Sequence, residues 1–190
     1  KALFALYNGV GFVEIIALLM FPKLAKWLSR EHVFPIAAVS LSTGLIIFLI
    51  ASYVSPSAVI PVIIGTIFIK TGTGFIMGII TVSMADVIDY SELKFVQRNE
   101  SVITSTQTFL MKTAMAVAAL FTGWGLDLFG YQAGQQQSDF TKNGLRIIMI
   151  ALPIISVFLS YLIYRFSYHL KGAYIQDVVN VLNVKKRQIK

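Results

Sequence analysis

Five long apolar stretches constrain this chain more than any other feature, at approximately residues 3–21, 33–53, 58–84, 103–128 and 145–166. Each meets the roughly 20 residues that a helix needs to cross a ~30 Å hydrocarbon core. No in/out alternation of barrel strands runs through them, and a continuous apolar run in lipid satisfies its own backbone only as an α-helix. Charge supports the same reading, because only 13% of the residues are charged while 56% are hydrophobic, about half the charge of a water-soluble surface. The chain reads as an all-α membrane protein with five transmembrane helices over residues 1–166 and a basic tail over 167–190. A disulfide-stapled scaffold is excluded, since the chain has no Cys.

The connecting segments are short. Residues 22–32 are basic, 54–57 contain Ser-Pro, 85–102 carry mixed charge, and 130–144 are Gln-rich with Asp139 and Lys142. If consecutive spans alternate in direction, eleven of the sixteen Lys and Arg, among them Lys23, Lys26, Lys94, Arg98 and Lys185, fall on one side. Lys1, Lys142 and Arg146 fall on the other, leaving Lys70 and Lys112 within spans. The positive-inside rule makes the first side cytoplasmic, with the chain's start outside and its end inside. The net charge of +7 is then topological and gives no reason to expect nucleic acid as a partner. An external start, an odd number of crossings and no export signal predict at least one earlier span.

Charges within a span cost about 2.5–3.5 kcal/mol each at the helix centre on insertion scales, so they face a cavity or a partner. Glu14, Lys70 and Lys112 are such charges, and a pair of Glu14 with Lys112 or Lys70 would offset much of the cost. Snorkelling of the lysine stems, or a pair that only holds helices together, is the plainer reading. Lys112 has the richest context: Ser101, Thr104, Ser105, Thr108 and Lys112 fall at i, i+3, i+4, i+7 and i+11, a polar stripe along one helix face. Hydroxyls ending in an ammonium, with the Gln107 amide on an adjoining direction, suit a polyhydroxy ligand. The same groups also serve interhelical hydrogen bonding.

Asp86 and Asp89 share a face at i, i+3 in the sequence ADVIDYSELKFVQRNE. Carboxylates near a helix C-terminus oppose its dipole, so they call for a basic partner, Arg98 being nearest; a solvated loop is the alternative. Gly74 with Gly78, and Ala114 with Ala118, are small-residue steps suited to close helix packing. In the tail, Ile175, Val178, Val179 and Leu182 have helical spacing ahead of Lys185, Lys186 and Arg187. This describes a short amphipathic helix, lying either at the lipid headgroups or packed on protein. No metal-ligand spacing or nucleophile–base set is present, so neither an enzyme nor a cofactor is indicated.

Taken together, Ala85-Asp86-x-x-Asp89-Tyr90, Arg98 with Glu100, Ser105-Thr106-Gln107-Thr108 and Lys112 resemble the glycoside–pentoside–hexuronide:cation symporters, which include the melibiose carriers. The resemblance extends from Phe21-Pro22-Lys23 through Gly130-Tyr131 and Met149-Ile150-Ala151-Leu152-Pro153 to the basic tail. It implies a twelve-span major facilitator fold in which these stretches are spans eight to twelve and the N-terminal half is missing. It also implies sugar transport across a bacterial cytoplasmic membrane, coupled to Na⁺ or H⁺. Lys112 matches the family's lysine of the central sugar and cation region, with Gln107 and Thr108 on its cytoplasmic approach. Thr104, Glu14 and Lys70 complete the candidate substrate-binding set, and Asp86, Asp89, Tyr90 and Arg98 match the cytoplasmic gate. Met77 stands where melibiose-type members have an aromatic residue. Glu14 and Lys70 stand at commonly neutral positions and are candidates to tune substrate charge. The family's principal cation-binding carboxylates lie in the missing half, so no ion ligand is assigned here. A second reading is a complete five-span assembly or receptor subunit whose charged segment docks a cytoplasmic partner.

Overall fold

The computed structural model describes residues 9–28, 30–54, 58–95, 97–168, 170 and 172–188. Six helices follow in order among the described residues: α1 Phe12–Leu28, α2 Arg30–Val54, α3 Val59–Phe95, α4 Glu100–Leu128, α5 Asp139–Ser167 and α6 Gly172–Gln188. Among the described residues four of them, α2 to α5, are long and apolar enough to cross a membrane. Five were expected. The first expected span, 3–21, has its opening residues outside the described ones, and α1 is a 17-residue helix.

Two connections expected between spans are largely helical. Although Pro22 removes one backbone donor, α1 continues through it to Leu28, because Phe21 is buried and Leu24 and Ala25 pack on the same cluster. At the other, α3 runs unbroken to Phe95, 37 residues or about 55 Å, well beyond the hydrocarbon thickness. No Gly or Pro follows Gly78 within it, so nothing local stops the helix. The Ser-Pro segment at 55–57, His169 and the last two residues lie outside the described residues, as do the side chains of Lys185, Lys186 and Arg187.

Helix α3 is the axis of the arrangement. α1 runs in the same direction beside it: an added Cβ at Gly74 would lie 2.5 Å from the Glu14 carbonyl oxygen, and one at Gly78 against the Phe21 ring. α2 runs antiparallel on another face, where Gly44 meets Gly65 and Ile69, and Gly72 meets Ala37 and Leu41. The expected packing role of Gly74 and Gly78 is thus realised: missing side chains let backbones approach. Ala114 and Ala118, in contrast, are exposed. The main cluster joins Phe21, Val33, Phe34, Ala37, Phe75 and Ile79, with Tyr161 and Tyr164 of α5 against it.

α5 crosses α2 and is fixed at both ends. Phe34 stacks on Tyr164 at 4.8 Å between ring centroids, and Tyr164 stacks on Tyr168 at 5.2 Å. At the far end Arg146 lies 4.4 Å over the Tyr53 ring and donates to the Ser52 carbonyl at 2.7 Å, a cation on the last turn of α2 where the helix dipole favours one. Ser138 caps α5 by accepting from the Thr141 N–H. α6 lays Ile175, Val178 and Leu182 against Tyr90, Leu93 and Leu170, so this apolar stripe is covered by protein; of the two placements open to it, packing on the bundle is the one observed.

Candidate functional site: polar faces of the third and fourth helices

The cavity that joins α3 to α4 has a volume of about 430 Å³ and is lined by Thr81, Met84, Asp89, Arg98, Thr104 and Gln107 among others. Its α3 wall follows from helical spacing. Residues 70, 77, 81, 84 and 88 recur within about 40° of one direction, so Lys70 and Met77 extend the same open face toward the N-terminal end of α3.

Lys70 Nζ donates to Glu14 Oε2 at 2.9 Å, an ion pair between α3 and α1. This is one of the two partnerships the sequence left open for Glu14, and it leaves Lys112 elsewhere. The pair is partly open, with the lysine side chain 20% exposed and the glutamate 35%. Thr73 donates to the Lys70 carbonyl at 3.1 Å.

On α4 the expected stripe is present, but its hydroxyls are used in an unexpected way. Thr104 donates to the Glu100 carbonyl at 2.8 Å, Ser105 to Val102 at 3.0 Å and Thr108 to Thr104 at 3.0 Å. Each hydroxyl therefore returns its proton to its own helix and turns lone pairs outward. Lys112 and Gln107 supply further donors on this helix. Lys112 is exposed, and among the described residues it has no ion pair or hydrogen bond. It sits about 140° around α4 from Gln107, so Gln107 and Thr104 line the cavity with α3 while Lys112 and Thr108 face another direction. Only Gly125 of α4 is buried.

The charged cluster at the C-terminal end of α3 divides between two faces. Arg98 donates through Nη1 to Glu92 at 3.0 Å and through Nε to Glu100 at 2.9 Å, with Asp89 at 3.8 Å. Hydrogen bonds to Glu100 first, then Glu92, hold the guanidinium pKa above its ordinary value, and the arginine bridges α3 to the first residue of α4. Asp86 turns away from this cluster, 6% exposed, accepting from the Tyr168 hydroxyl at 3.1 Å. Burial, more than the nearby Asp86 charge, pushes the Tyr168 pKa upward, which keeps the phenol a donor. Tyr90 also faces away from Arg98, toward Tyr174 at 6.4 Å between centroids, with Lys94 over its ring at 5.7 Å. Arg98 as partner thus holds for Asp89, whereas Asp86 receives the phenol. Helix α3 continues to Phe95, so 86 and 89 are about 60° apart around it, and each meets a different neighbour.

Glu92 and Tyr168 were not singled out from sequence. Glu92 had a signal, since it follows Asp89 by three residues on the face toward Arg98. Tyr168 had none, its approach to Asp86 depending on how α5 crosses the bundle.

The family model described as MFS/sugar transport protein matches residues 1–172. The chain is 29% identical to the isoprimeverose transporter of Lactiplantibacillus pentosus over 157 residues, covering 80% of this chain and 31% of that protein. It is 28% identical to the uncharacterised symporter YjmB of Bacillus subtilis (strain 168) over 196 residues, covering 96% and 41%. A lactose permease of Lactobacillus helveticus is 22% identical over 191 residues, covering 95% and 29%. The chain spans about a third of the length of these curated relatives.

Proposed function

The chain belongs to the MFS/sugar transport protein family, a transporter family and not an enzyme family, and on that premise we propose that it is a C-terminal portion of a bacterial inner-membrane carrier that moves a sugar or glycoside together with Na⁺ or H⁺. The observation that carries this reading is the polar cavity between α3 and α4, with Lys70 further along the α3 wall and Lys112 on a separate exposed face of α4. Such groups belong at a wet midplane passage between the two halves of a rocking transporter. In it, Lys112 donates to the cargo, with Gln107, Thr104 and Thr108 along the approach.

The excess of Lys and Arg near the C-terminal end of α3 and in the tail supports a cytoplasmic position for that side. There Arg98, bound to Glu92, Glu100 and Asp89, supports a gate between α3 and α4. The remaining spans of the carrier are the partner that covers α4.

The test is counterflow by a carrier of the relatives' full length against a panel of glycosides, pentosides and hexuronides, with Na⁺ and pH varied separately. Lys112→Ala should abolish or greatly weaken uptake while leaving protein in the membrane. Uptake at the parental rate removes Lys112 from the site, and no uptake of any panel member by the parent overturns the transport reading.

A further inference from the structure

The Glu14–Lys70 pair lies at a depth and on a face that a purely structural bridge does not need. Lys70 is eleven residues from the start of α3 and fourteen from Met84, so it sits near the middle of the apolar stretch, where substrate sites of secondary carriers lie. It occupies the same face as Thr81, Met84 and Ile88, which line the cavity with α4. Close approach of Gly74 to the Glu14 carbonyl already joins α1 to α3 at this level, and the Gly78–Phe21 contact repeats the junction one turn on. Helix association therefore has its own basis. Both charged side chains remain partly open.

Resting on the transport reading above, we infer that Glu14 and Lys70 set the charge of cargo the carrier accepts, by cancelling each other at the passage wall. The carboxylate of Glu14 occupies the acceptor position on the Lys70 ammonium that an anionic sugar would otherwise take. Loss of Glu14 makes the wall more positive by one charge, which draws a carboxylate-bearing sugar. Loss of Lys70 leaves an anion, which repels one. Loss of both returns the wall to neutrality with a different shape.

The experiment uses the full-length carrier, the glycoside that the uptake panel identifies, and that glycoside's C6-carboxylate counterpart, measured in competition counterflow. Glu14→Gln should shift the uptake ratio toward the carboxylate by roughly tenfold or more, the size expected from one close charge contact in a partly wet site. Lys70→Gln should shift it the other way, and the double variant should return near the parental ratio. If Glu14→Gln does not accumulate, Glu14→Asp withdraws the same charge by one methylene and should shift the ratio in the same direction by less. An unchanged ratio in variants that still transport overturns the inference and leaves the transport reading intact. So does loss of uptake in both single variants with the parental ratio restored in the double variant, the behaviour of a helix clamp. A parent that carries no sugar overturns both.

Discussion

Single atoms decide how closely α1 approaches α3. At Gly74 the obstacle to a Cβ is backbone, the Glu14 carbonyl oxygen at 2.5 Å, whereas at Gly78 it is the Phe21 ring. Gly74→Ala should therefore push the helices apart and destabilise the protein by about 1–3 kcal/mol, as overpacking does. Gly78→Ala should be damaging alone and should add little further damage when Phe21 is cut back to Ala, which removes the Cγ and ring that a new Cβ would meet. Thermal unfolding in detergent measures both, and equal relief of the two glycine variants by Phe21→Ala would show that the ring, not backbone, limits each contact. Tyr168→Phe offers a second test at this scale. It removes a hydroxyl from the buried Asp86 and should cost about 1–3 kcal/mol through an under-satisfied carboxylate; unchanged stability would mean other groups already satisfy Asp86. The small-residue step at 74 and 78 was legible from spacing alone. The Asp86–Tyr168 contact was not, because 82 residues separate the partners and no periodicity encodes how α5 crosses the bundle.

Among the elements, α3 was the one whose chemistry was easiest to see in the sequence and whose extent was hardest. Its charged end looked like a connection because hydropathy falls there, yet the same residues form good helix, and covering by α6 rewards the extension. Leu182→Ala removes a buried side chain from that cover, a change that typically costs 2–5 kcal/mol in a packed core. Amide exchange across residues 175–184 should accelerate, and exchange at the parental rate would mean that α6 is held by something other than this stripe. The opposite face of α3 is linked to α4 by Arg98. Arg98→Ala should open the α3–α4 junction, seen as faster cytoplasmic labelling of a cysteine placed at Gln107; unchanged labelling would remove the arginine from gating. Glu92→Gln, acting on the same guanidinium, should move labelling in the same direction by less.

For the molecule as a whole, α1, α2 and α3 form one tightly joined unit through Gly44, Gly65, Gly72, Gly74 and Gly78, with α5 laid across α2. Helix α4 departs from this pattern, with almost every residue exposed. Hydropathy picked out the four helices long and apolar enough to cross a membrane, because burial in lipid or in protein demands the same apolar side chains, and it also marked a first stretch whose described part falls mostly in the 17-residue α1. Helical offsets already set the Gln107 amide in a different direction from the Lys112 stripe; they did not reveal which of the two meets α3, because an angle on one rod does not say which neighbour it meets. Proteoliposomes holding the 190-residue chain alone should show no sugar counterflow, since α4 then has no opposing wall; measurable exchange would contradict a passage shared with further spans.

The inward-turned protons of Thr104, Ser105 and Thr108 have a consequence for any passenger. Those three hydroxyls, committed to carbonyls of their own helix, present oxygen without hydrogen, so recognition at these positions runs one way, from cargo to protein. Sugars capped as methyl ethers keep their size and their oxygens but lose the O–H that such a surface asks for. They should travel poorly where the free hydroxyl travels well.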